Sequence, residues 1–442
     1  MNLTGIQSLQ LSATDRTNAH SLRVALCPPD LYNFTKVMNG EAVDATFIIQ
    51  TYIAKGLRDR GHQLTVLGAY TPDDALYAGE LESLEPAHFT WSSSRWFVLA
   101  NKVVWRIQRL LGIPYLNVFS NLRLMDACMQ YFPGKDLVYE RNSMHKFGVA
   151  MACKRLGMPY ILYVEADDIL EHDIMKKPIK GLQRLQVGLS MKYNLQAADK
   201  VICVSEPLKA HLIKQWKVAA KKIEVFPNVA DIRRFHPEAG GSHTVRHSLG
   251  IGQAPLIIFV GNFYEWHDVA TLLRAFSNLL DTSPHARLLL VGDGEKRHSM
   301  AQLASELGID HAVTFTGMVA HADVPQYMAA ADIAVVPYPS LNQEIWLSPL
   351  KLFEYMATGN AIIASDVGQL HEWIMEEQNG LLVPPGDVPA LAMSLKRLVD
   401  DPALRLRLGQ KAREEAVKRH SWDRYLSDLE ALCLDVALKG KQ

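Results

Sequence analysis

Short apolar runs alternate along this chain with longer stretches in which apolar residues recur at helical spacing. Residues 23–27 form an apolar run, residues 45–61 form an amphipathic stretch, and residues 63–67 form the next run. Strand, helix and strand in this order predict a parallel sheet that helices cover on both faces. The later strands that we predict in the first half are residues 136–139, 160–164 and 200–204.

The alternation begins again after a segment rich in Gly, Pro and His at residues 235–247. We therefore predict two Rossmann-like, doubly wound α/β domains at residues 1–235 and 236–420, followed by a C-terminal helical segment at residues 421–442. The strands predicted in the second domain are residues 256–260, 288–291, 313–316, 333–336, 361–364 and 381–383. Open α/β sheets bind ligands at the carboxyl ends of their strands, so we expect the site in a cleft between the domains.

Composition and charge narrow the class of protein. The 442 residues, 48% of them hydrophobic, are enough for two buried cores, and a net charge of −1 argues against a general nucleic-acid binder. The five cysteines are scattered singly, without the spacing of a zinc or redox site, which predicts free thiols in a reducing cytoplasm. Residues 1–21 are polar and no run of eighteen uncharged apolar residues occurs, so we expect a cytoplasmic protein without a signal peptide or a membrane-spanning helix.

One predicted short helix carries a charge in an unusual place. Ser348 is a good N-cap, Pro349 suits the first helical position, and Gly359 is a good C-terminal stop. Lys351 then lies in the first turn, where the helix dipole disfavours a cation unless an anion binds there, which indicates a phosphate. Glu354 lies one turn later on the same side and can accept hydrogen bonds from two sugar hydroxyls. Phosphate and ribose together indicate a nucleotide; the alternative is a solvated Lys351/Glu354 ion pair.

Several residue runs in this order resemble family 4 of the retaining glycosyltransferases, which have the two-domain GT-B architecture. In the second half the runs are residues 259–261, 290–294, 331–337, 354–359 and 379–384, with Ser421 and Trp422. In the first half the resemblance is thinner and rests on Gly61-His62, residues 138–141, Ala198-Asp199, Val204-Ser205, residues 227–231, Phe235 and Pro237.

The resemblance implies an activity as well as a fold. It implies transfer of a hexose or N-acetylhexosamine from a nucleotide-diphosphate sugar, with retention and without a metal ion, as in polysaccharide biosynthesis. The acceptor would be a glycan, a lipid-linked sugar or a small molecule. The C-terminal helix would cross back to the first domain. A nucleotide-sugar 2-epimerase of the same architecture and a degenerate transferase that binds without turnover remain as alternatives.

The predicted donor site departs from the family at three positions. Asn262 and His267 stand where relatives usually carry an Arg and a Lys that face phosphate, and Trp346 stands where relatives carry a Glu that contacts the donor hexose. Phosphate binding would then rest on Lys351, the helix-end amides and His267 as an imidazolium, which predicts a steep loss of activity with rising pH. Glu344 is either a substitute for the missing Glu or a surface carboxylate. The full set of expected donor-binding residues is Ser348, Leu350, Lys351, Glu354, Gly261, Asn262, His267, Gly292, Gly294 and Trp346.

Glycines after two strands are expected to help bind the diphosphate. Gly261, Gly292 and Gly294 carry no side chain, so their backbone N–H groups can approach it; the alternative is an ordinary turn at each. We expect no bound metal and no cofactor, because the acidic pair Asp167-Asp168 lacks a third ligand at useful spacing.

On the acceptor side, the stretch that begins at Tyr163 ends a predicted strand in carboxylates. Glu165 is our candidate for holding or deprotonating the acceptor hydroxyl, and Asp167 is the second candidate. Asp168 either faces the cleft or caps the following helix. The resemblance also implies that Gly40, in the loop after the first strand, comes close to the donor phosphate and the acceptor; the alternative is a plain flexible loop.

A basic, aromatic segment suggests a further partner. Residues 91–125 contain no Asp or Glu, and on a helix at residues 95–111 the basic residues fall on one stripe beside Trp96 and Trp105. The basic residues are Arg95, Lys102, Arg106 and Arg109. A second acid-free stretch is residues 174–198. This composition supports the hypothesis that the first domain docks on the anionic inner face of the membrane to reach a lipid-linked acceptor; the alternative is a core-packed helix with a solvated basic face.

Overall fold

A computed structural model describes residues 21–41, 43, 45–71, 75–114, 116–340, 346 and 348–440. The strands are β1 (Arg23–Cys27), β2 (Gln63–Tyr70), β3 (Ala75–Glu80), β4 (Ser83–Pro86), β5 (Leu137–Arg141), β6 (Tyr160–Val164), β7 (Lys200–Cys203), β8 (Ile223–Val225), β9 (Leu256–Val260), β10 (Arg287–Val291), β11 (Val313–Gly317), β12 (Ile333–Val336), β13 (Ala361–Ser365) and β14 (Leu381–Val383). The helices are α1 (Leu31–Met38), α2 (Ala45–Asp59), α3 (Arg95–Leu110), α4 (Val118–Tyr131), α5 (Gly148–Leu156), α6 (Asp168–Ile174), α7 (Gly181–Ala197), α8 (Glu206–Trp216), α9 (Ser242–Ser248), α10 (Val269–Leu280), α11 (Arg297–Glu306), α12 (Val324–Ala330), α13 (Leu350–Thr358), α14 (Leu370–Trp373), α15 (Val388–Asp400), α16 (Pro402–Arg419) and α17 (Trp422–Lys439).

The first lobe is built on an eight-stranded sheet in the order β4-β3-β2-β1-β5-β6-β7-β8. From β2 to β8, neighbouring strands run parallel, and their apolar residues are buried on both faces, as the continuous apolar runs predict. Strands β3 and β4 extend one edge as an antiparallel hairpin. The sequence analysis did not identify this hairpin, because its short strands lack the apolar run of a central strand.

The second lobe is built on a six-stranded parallel sheet in the order β11-β10-β9-β12-β13-β14. Every strand predicted here is present to within one residue at either end. Two parallel sheets with helices on their faces confirm the predicted fold class. The exact domain bounds at residues 235 and 420 stay predictions.

The C-terminal helix α17 packs on the first lobe rather than on the second. Trp422 stacks on Tyr52 of α2 with ring centroids 4.8 Å apart and nearly parallel planes. Leu426 packs against Gly56 so closely that a Cβ at that glycine would lie 2.2 Å from a Leu426 methyl carbon. The predicted return of this helix is therefore observed, and it joins the far end of the chain to the core of the first lobe.

All five cysteines are buried free thiols. In the part of the chain that the structure describes, no helix is both long and apolar enough to cross a membrane.

Candidate active site

A cleft of about 550 Å³ lies between the two lobes, and it opens at the carboxyl ends of both sheets. On one wall Arg141 is the last residue of β5 and Glu165 follows β6, and on the other wall Gly261 and Gly292 follow β9 and β10. Helix α13 points its N-terminus into the cleft, where Lys351 and its neighbours form part of the wall. This is the position at which open α/β sheets bind ligands.

Helix α13 begins one residue later than its sequence predicts. Pro349 is the N-cap, no side chain caps the helix, and Gly359 ends it with a φ of 78°, as predicted. The prediction of Ser348 as the N-cap is wrong, because its hydroxyl instead accepts a hydrogen bond from the backbone N–H of Asn228 (3.0 Å). The Asn228 side chain donates to the Ser348 carbonyl (2.5 Å), so the linker between the lobes is fastened to the start of α13. The first N–H groups of Leu350 and Lys351 have no partner within a helix and lie at the cleft wall.

Lys351 is the most unusual charged group in the cleft. Its side chain is buried, its Nζ has no hydrogen-bond partner among the residues that the structure describes, and this nitrogen lies 4.3 Å from the ring centroid of Phe259. Burial lowers the pKa of Lys351 to about 7, although the nearby Glu354 carboxylate opposes that shift. The alternative of a solvated Lys351/Glu354 pair is wrong, because the two residues are only 9% and 4% exposed. A buried ammonium without a partner, beside uncapped helix N–H groups, is a suitable place for an anion.

Glu354 lies one helical turn beyond Lys351 in the cleft wall. Its Oε1 accepts a hydrogen bond from His321 Nε2 at 2.8 Å. His321 also lines the cleft, and the sequence analysis did not select it. It lies 33 positions from Glu354 in a connecting segment, where no spacing rule relates the two residues.

The three glycines do not present free amides to the cleft. The N–H of Gly261 donates to the Val291 carbonyl (2.9 Å), that of Gly292 to the Gly317 carbonyl (3.0 Å), and that of Gly294 to the Asp293 carboxylate (2.7 Å). The expectation that these N–H groups face a diphosphate is therefore wrong.

These glycines instead permit close packing. A Cβ at Gly261 would lie 2.5 Å from Lys351 Nζ, and one at Gly292 would lie 2.2 Å from the Gly261 carbonyl oxygen. At Gly294 a Cβ would lie 2.7 Å from the Phe263 backbone nitrogen, and this glycine is not part of the described cleft wall. Gly261 thus leaves the space that the Lys351 side chain occupies.

His267 lines the cleft beside Lys351, as expected, but as a neutral ring. Burial, reinforced by the Lys351 charge, lowers the pKa of His267 well below its ordinary value. Its Nδ1 donates to the carbonyl of Asn262 at 2.5 Å, which holds the ring in place. The expectation of an imidazolium that faces phosphate is therefore wrong. Asn262 also lies in the cleft wall.

Trp346 bridges the lobes instead of shaping a sugar pocket. It is buried in the core of the first lobe, with its ring 5.2 Å from the ring of His211. Its carbonyl accepts a hydrogen bond from the Ser205 hydroxyl (2.7 Å). It is not part of the described cleft wall, so the expectation that it binds the donor is wrong. Glu344 lies outside the described residues.

The two predicted acceptor-side carboxylates have different surroundings. Glu165 lines the cleft, and its Oε2 accepts hydrogen bonds from Thr46 (2.8 Å) and Arg141 (2.9 Å). Asp167 is almost fully buried and accepts four hydrogen bonds, from the backbone N–H groups of Ile169 and Leu170 and from the side chains of His211 and Trp216. Asp167 is therefore the cap of helix α6, and the expectation that it serves the acceptor hydroxyl is wrong.

Two further residues complete the description of this wall. Glu171 lines the cleft, and burial, with the nearby Asp168 and Glu165 carboxylates, raises its pKa to about 7. The sequence analysis did not select Glu171. Gly40 follows helix α1 rather than β1 directly; it is exposed and is not part of the described cleft wall, so its predicted approach to the ligands is not observed.

Among the described residues, no group of three or more His, Cys, Asp and Glu side chains is placed to hold a metal ion. The expectation of metal-independent transfer stays a prediction.

Two sequence profiles match the two lobes. The profile described as "Glycosyltransferase Family 4" matches residues 50–234, and the one described as "Glycosyl transferases group 1" matches residues 254–401.

Three curated proteins show the range of relatives. A D-inositol 3-phosphate glycosyltransferase of Nocardioides sp. is 30% identical over 70% of this chain and 69% of its own length. An uncharacterised glycosyltransferase of Methanocaldococcus jannaschii is 28% identical over 84% of this chain and 89% of its own length. A 2-deoxystreptamine glucosyltransferase of Streptomyces kanamyceticus is 27% identical over 57% of this chain, and the match spans 64% of that enzyme.

Solved structures share the fold at low sequence identity. Sucrose-phosphate synthase from Thermosynechococcus elongatus superposes with a TM-score of 0.69 at 20% identity, over 94% of this chain and 99% of its own. The Anabaena protein HepE, in complex with UDP and glucose, superposes with a TM-score of 0.64 at 17% identity, over 94% of this chain and 100% of its own. With the profile matches and the Nocardioides relative, these similarities show that the chain belongs to glycosyltransferase family 4 and is a glycosyltransferase with the GT-B architecture.

Proposed function

We propose that this glycosyltransferase moves a hexose or N-acetylhexosamine from a nucleoside-diphosphate sugar, with retention and without a metal ion or cofactor. The acceptor is a glycan, a lipid-linked sugar or a small molecule. The observation that carries the proposal is the Lys351 ammonium, which is buried at the start of α13, one turn before Glu354, and has no hydrogen-bond partner in the described part of the chain.

The donor diphosphate binds against the N-terminus of α13 in this proposal. Negative charge grows on the departing phosphate as the sugar acquires oxocarbenium character, and a preorganised positive group stabilises that charge. Lys351 and the dipole of α13 supply the positive charge, while the neutral His267 contributes shape and hydrogen bonding. Glu354 accepts hydrogen bonds from the ribose hydroxyls.

The acceptor hydroxyl binds at Glu165 on the opposite wall. Both described hydrogen bonds to this carboxylate reach Oε2, from Thr46 and Arg141, so Oε1 is left for the acceptor. A hydroxyl held there is oriented toward the anomeric carbon and can pass its proton to a carboxylate or to the departing phosphate. Glu171, whose pKa of about 7 lies near neutrality, is a second group that can exchange protons in this wall.

Incubation of the purified protein with a panel of nucleotide sugars tests the proposal. UDP-sugars come first, because the structural neighbour HepE was solved with UDP and glucose. Transfer or slow donor hydrolysis is expected; formation of the 2-epimer supports the epimerase alternative, and binding without turnover supports a degenerate transferase.

Paired variants connect that activity with helix α13. E354A and K351M should each lower kcat/KM at least 100-fold, because each removes a buried charged contact with the donor. The exposed pair Lys411/Glu414 has the same i, i+3 spacing on the surface of α16, so K411M and E414A are matched controls that should leave turnover unchanged. Intact turnover in E354A would contradict the proposed site.

We also propose that the first lobe docks on an anionic membrane, at its cytoplasmic face, and takes a lipid-linked acceptor from it. None of the side chains of helix α3 is buried, which removes the alternative of a core-packed helix. Trp96 is 80% exposed and Leu110 is 85% exposed. The same helix carries four basic residues and no acidic one, the combination that binds anionic lipid surfaces.

Helix α7 also carries exposed apolar side chains. Leu182, Leu185 and Leu189 recur on one face of this helix and are each about half exposed. The side chain of Gln186, on the same helix, donates a hydrogen bond to the carbonyl of Leu116, just beyond α3. The two acid-free stretches therefore meet in space.

Co-sedimentation with vesicles at physiological salt tests the membrane proposal. Binding to vesicles with 30% phosphatidylglycerol but not to pure phosphatidylcholine is expected, and W96S/L110S should weaken it strongly. The double variant M393S/L406S removes two apolar side chains of the second lobe that are also largely exposed, at 67% and 64%, and is the control. Failure of the unaltered protein to co-sediment would discard the membrane proposal and leave the donor site untouched.

A further inference from the structure

His321 stands directly behind the Glu354 carboxylate in the cleft wall. It lies between β11 and α12, and its Nε2 is 2.8 Å from Glu354 Oε1. A carboxylate oxygen accepts but does not donate, so Nε2 carries the hydrogen. The side chains are 17% and 5% exposed, so this hydrogen bond is largely shielded from water.

His321 is itself held by the segment that joins the two lobes. Its carbonyl accepts a hydrogen bond from the Arg234 guanidinium (3.2 Å), and its ring lies 5.5 Å from the ring of Phe235. Arg234 also donates to the hydroxyl of Tyr52 (2.7 Å), which stacks on Trp422 at the start of the return helix. Both the backbone and the ring of His321 are therefore held by neighbouring residues. The imidazole has little freedom to follow the Glu354 carboxylate if that group rotates.

The arrangement leaves one carboxylate oxygen of Glu354 for a ligand. Oε1 is engaged by His321, and no hydrogen bond to Oε2 occurs among the described residues. A carboxylate whose one oxygen is hydrogen-bonded to a fixed donor has one preferred rotation, and this presents the other oxygen in a constant direction. Without that donor, the buried carboxylate loses its only described hydrogen bond, and it can rotate.

We propose that His321 is a positioning residue, which holds the Glu354 carboxylate so that Oε2 faces the ribose of the donor nucleotide. The inference rests on the proposed function, because it assigns His321 a part in the same donor site. It predicts that His321 determines how strongly the enzyme prefers ribonucleotides over deoxyribonucleotides, although it does not itself contact the nucleotide.

Two variants separate the hydrogen bond from the shape of the residue. H321F keeps an aromatic ring against Phe235 but removes the N–H donor. H321Q places an amide N–H at about the reach of Nε2 and should restore the contact. The probes are UDP, or whichever nucleoside diphosphate binds most tightly, its 2′-deoxy and 3′-deoxy counterparts, and inorganic pyrophosphate, which has no ribose.

H321F should weaken binding of the ribonucleoside diphosphate about tenfold or more, since a hydrogen bond to a charged group is lost. It should leave pyrophosphate binding within about twofold and bring the ratio of ribo to deoxy affinities close to one. H321Q should recover most of that ratio. In an E354A background, H321F should have little further effect, because the group that it positions is gone.

Three results would overturn the inference. H321F could keep the full preference for ribose; it could weaken the ribo, deoxy and pyrophosphate probes equally, which indicates a merely structural role; or H321Q could fail to restore the preference although it is folded. If E354A itself keeps the ribose preference, the proposed donor site is wrong, and this outcome is distinct from a failure of His321 alone.

Discussion

Proton uptake on binding of the donor diphosphate is the sharpest consequence of the buried Lys351. In the protein alone its pKa is about 7, because burial removes water from the ammonium and only Glu354 opposes the effect. A diphosphate beside Nζ supplies the missing opposite charge and restores a pKa well above that of the empty site. At pH 8 about one tenth of the empty molecules carry this proton, whereas nearly all of the complexes carry it.

The direction and size of the pH dependence of UDP binding follow from the linkage between proton binding and UDP binding. Since binding raises the pKa of Lys351, the affinity does not vary with pH through this group below about pH 7, where the ammonium is already charged, and it falls up to tenfold per pH unit above that value. Between pH 7.5 and 8.5 the Kd for UDP should rise about eightfold, which is roughly 1 kcal/mol. The phosphate groups do not account for this change, because a terminal phosphate with a pKa near 6 is already ionised there. His267 does not account for it either, because burial and the Lys351 charge keep its pKa well below 6.5.

Isothermal titration calorimetry at pH 8 in two buffers of different ionisation enthalpy measures the uptake directly. The unaltered protein should take up about 0.9 proton per UDP bound. K351M should bind more weakly and lose the uptake that Lys351 contributes, so any uptake that remains measures Glu171, whose pKa is also about 7. K411M, which alters an exposed lysine, should behave like the unaltered protein. A Kd that stays constant from pH 7.5 to 9, in a protein whose UDP binding needs Lys351, would refute the argument that burial holds this ammonium near neutrality.

Three further predictions concern the surroundings of that lysine and the contact between the lobes. K351M should raise the free energy of unfolding of the protein alone at pH 7 by up to about 4 kcal/mol, because the pKa of Lys351 falls from 10.5 in the unfolded chain to about 7 in the folded one. This stabilisation should shrink as the pH rises and vanish near pH 10.5. Urea unfolding at several pH values measures it. G261A should lower kcat/KM at least 100-fold, because the new Cβ would lie 2.5 Å from Lys351 Nζ and the φ of 146° favours glycine. If G261A lowers kcat/KM by the same factor in a K351M background as in the unaltered protein, the clash with Lys351 is not the reason. W346A should destabilise the protein by about 3 kcal/mol, because it leaves a cavity beside His211. It should leave the order of preference among donor sugars unchanged. A changed order in the nucleotide-sugar panel would show that Trp346 takes part in donor binding.

Local pattern was enough to predict the central strands, the parallel sheets and the face of helix α13 that meets the cleft, but not the β3–β4 hairpin or the edge strand β8. Apolar runs and turn residues are local signals, and a spacing of three residues places Lys351 and Glu354 on one side of any helix. The same signals were misleading for Ser348, which has the chemistry of an N-cap but hydrogen-bonds Asn228, 120 positions away in the sequence. A side chain that suits two partners takes the one that the tertiary structure brings to it.

The charge state of His267 and the surroundings of Trp346 could not be predicted from local sequence pattern, because both depend on residues that are distant in the chain. The pKa of His267 depends on burial and on its distance from Lys351, neither of which a sequence position reveals. Trp346 lies shortly before helix α13 in the sequence, yet its ring is buried in the first lobe.

The sequence by itself determined the class of fold, the family and the lysine and glutamate of α13, because each depends on residues close together in the chain or on motifs in a fixed order. Only the tertiary structure decided which groups surround them: His321 beside Glu354, four donors around Asp167, and a Lys351 ammonium without a hydrogen-bond partner among the described residues. Hydrogen bonds and burial depend on distance in space, and folding brings together residues whose separation in the chain carries no record of that contact.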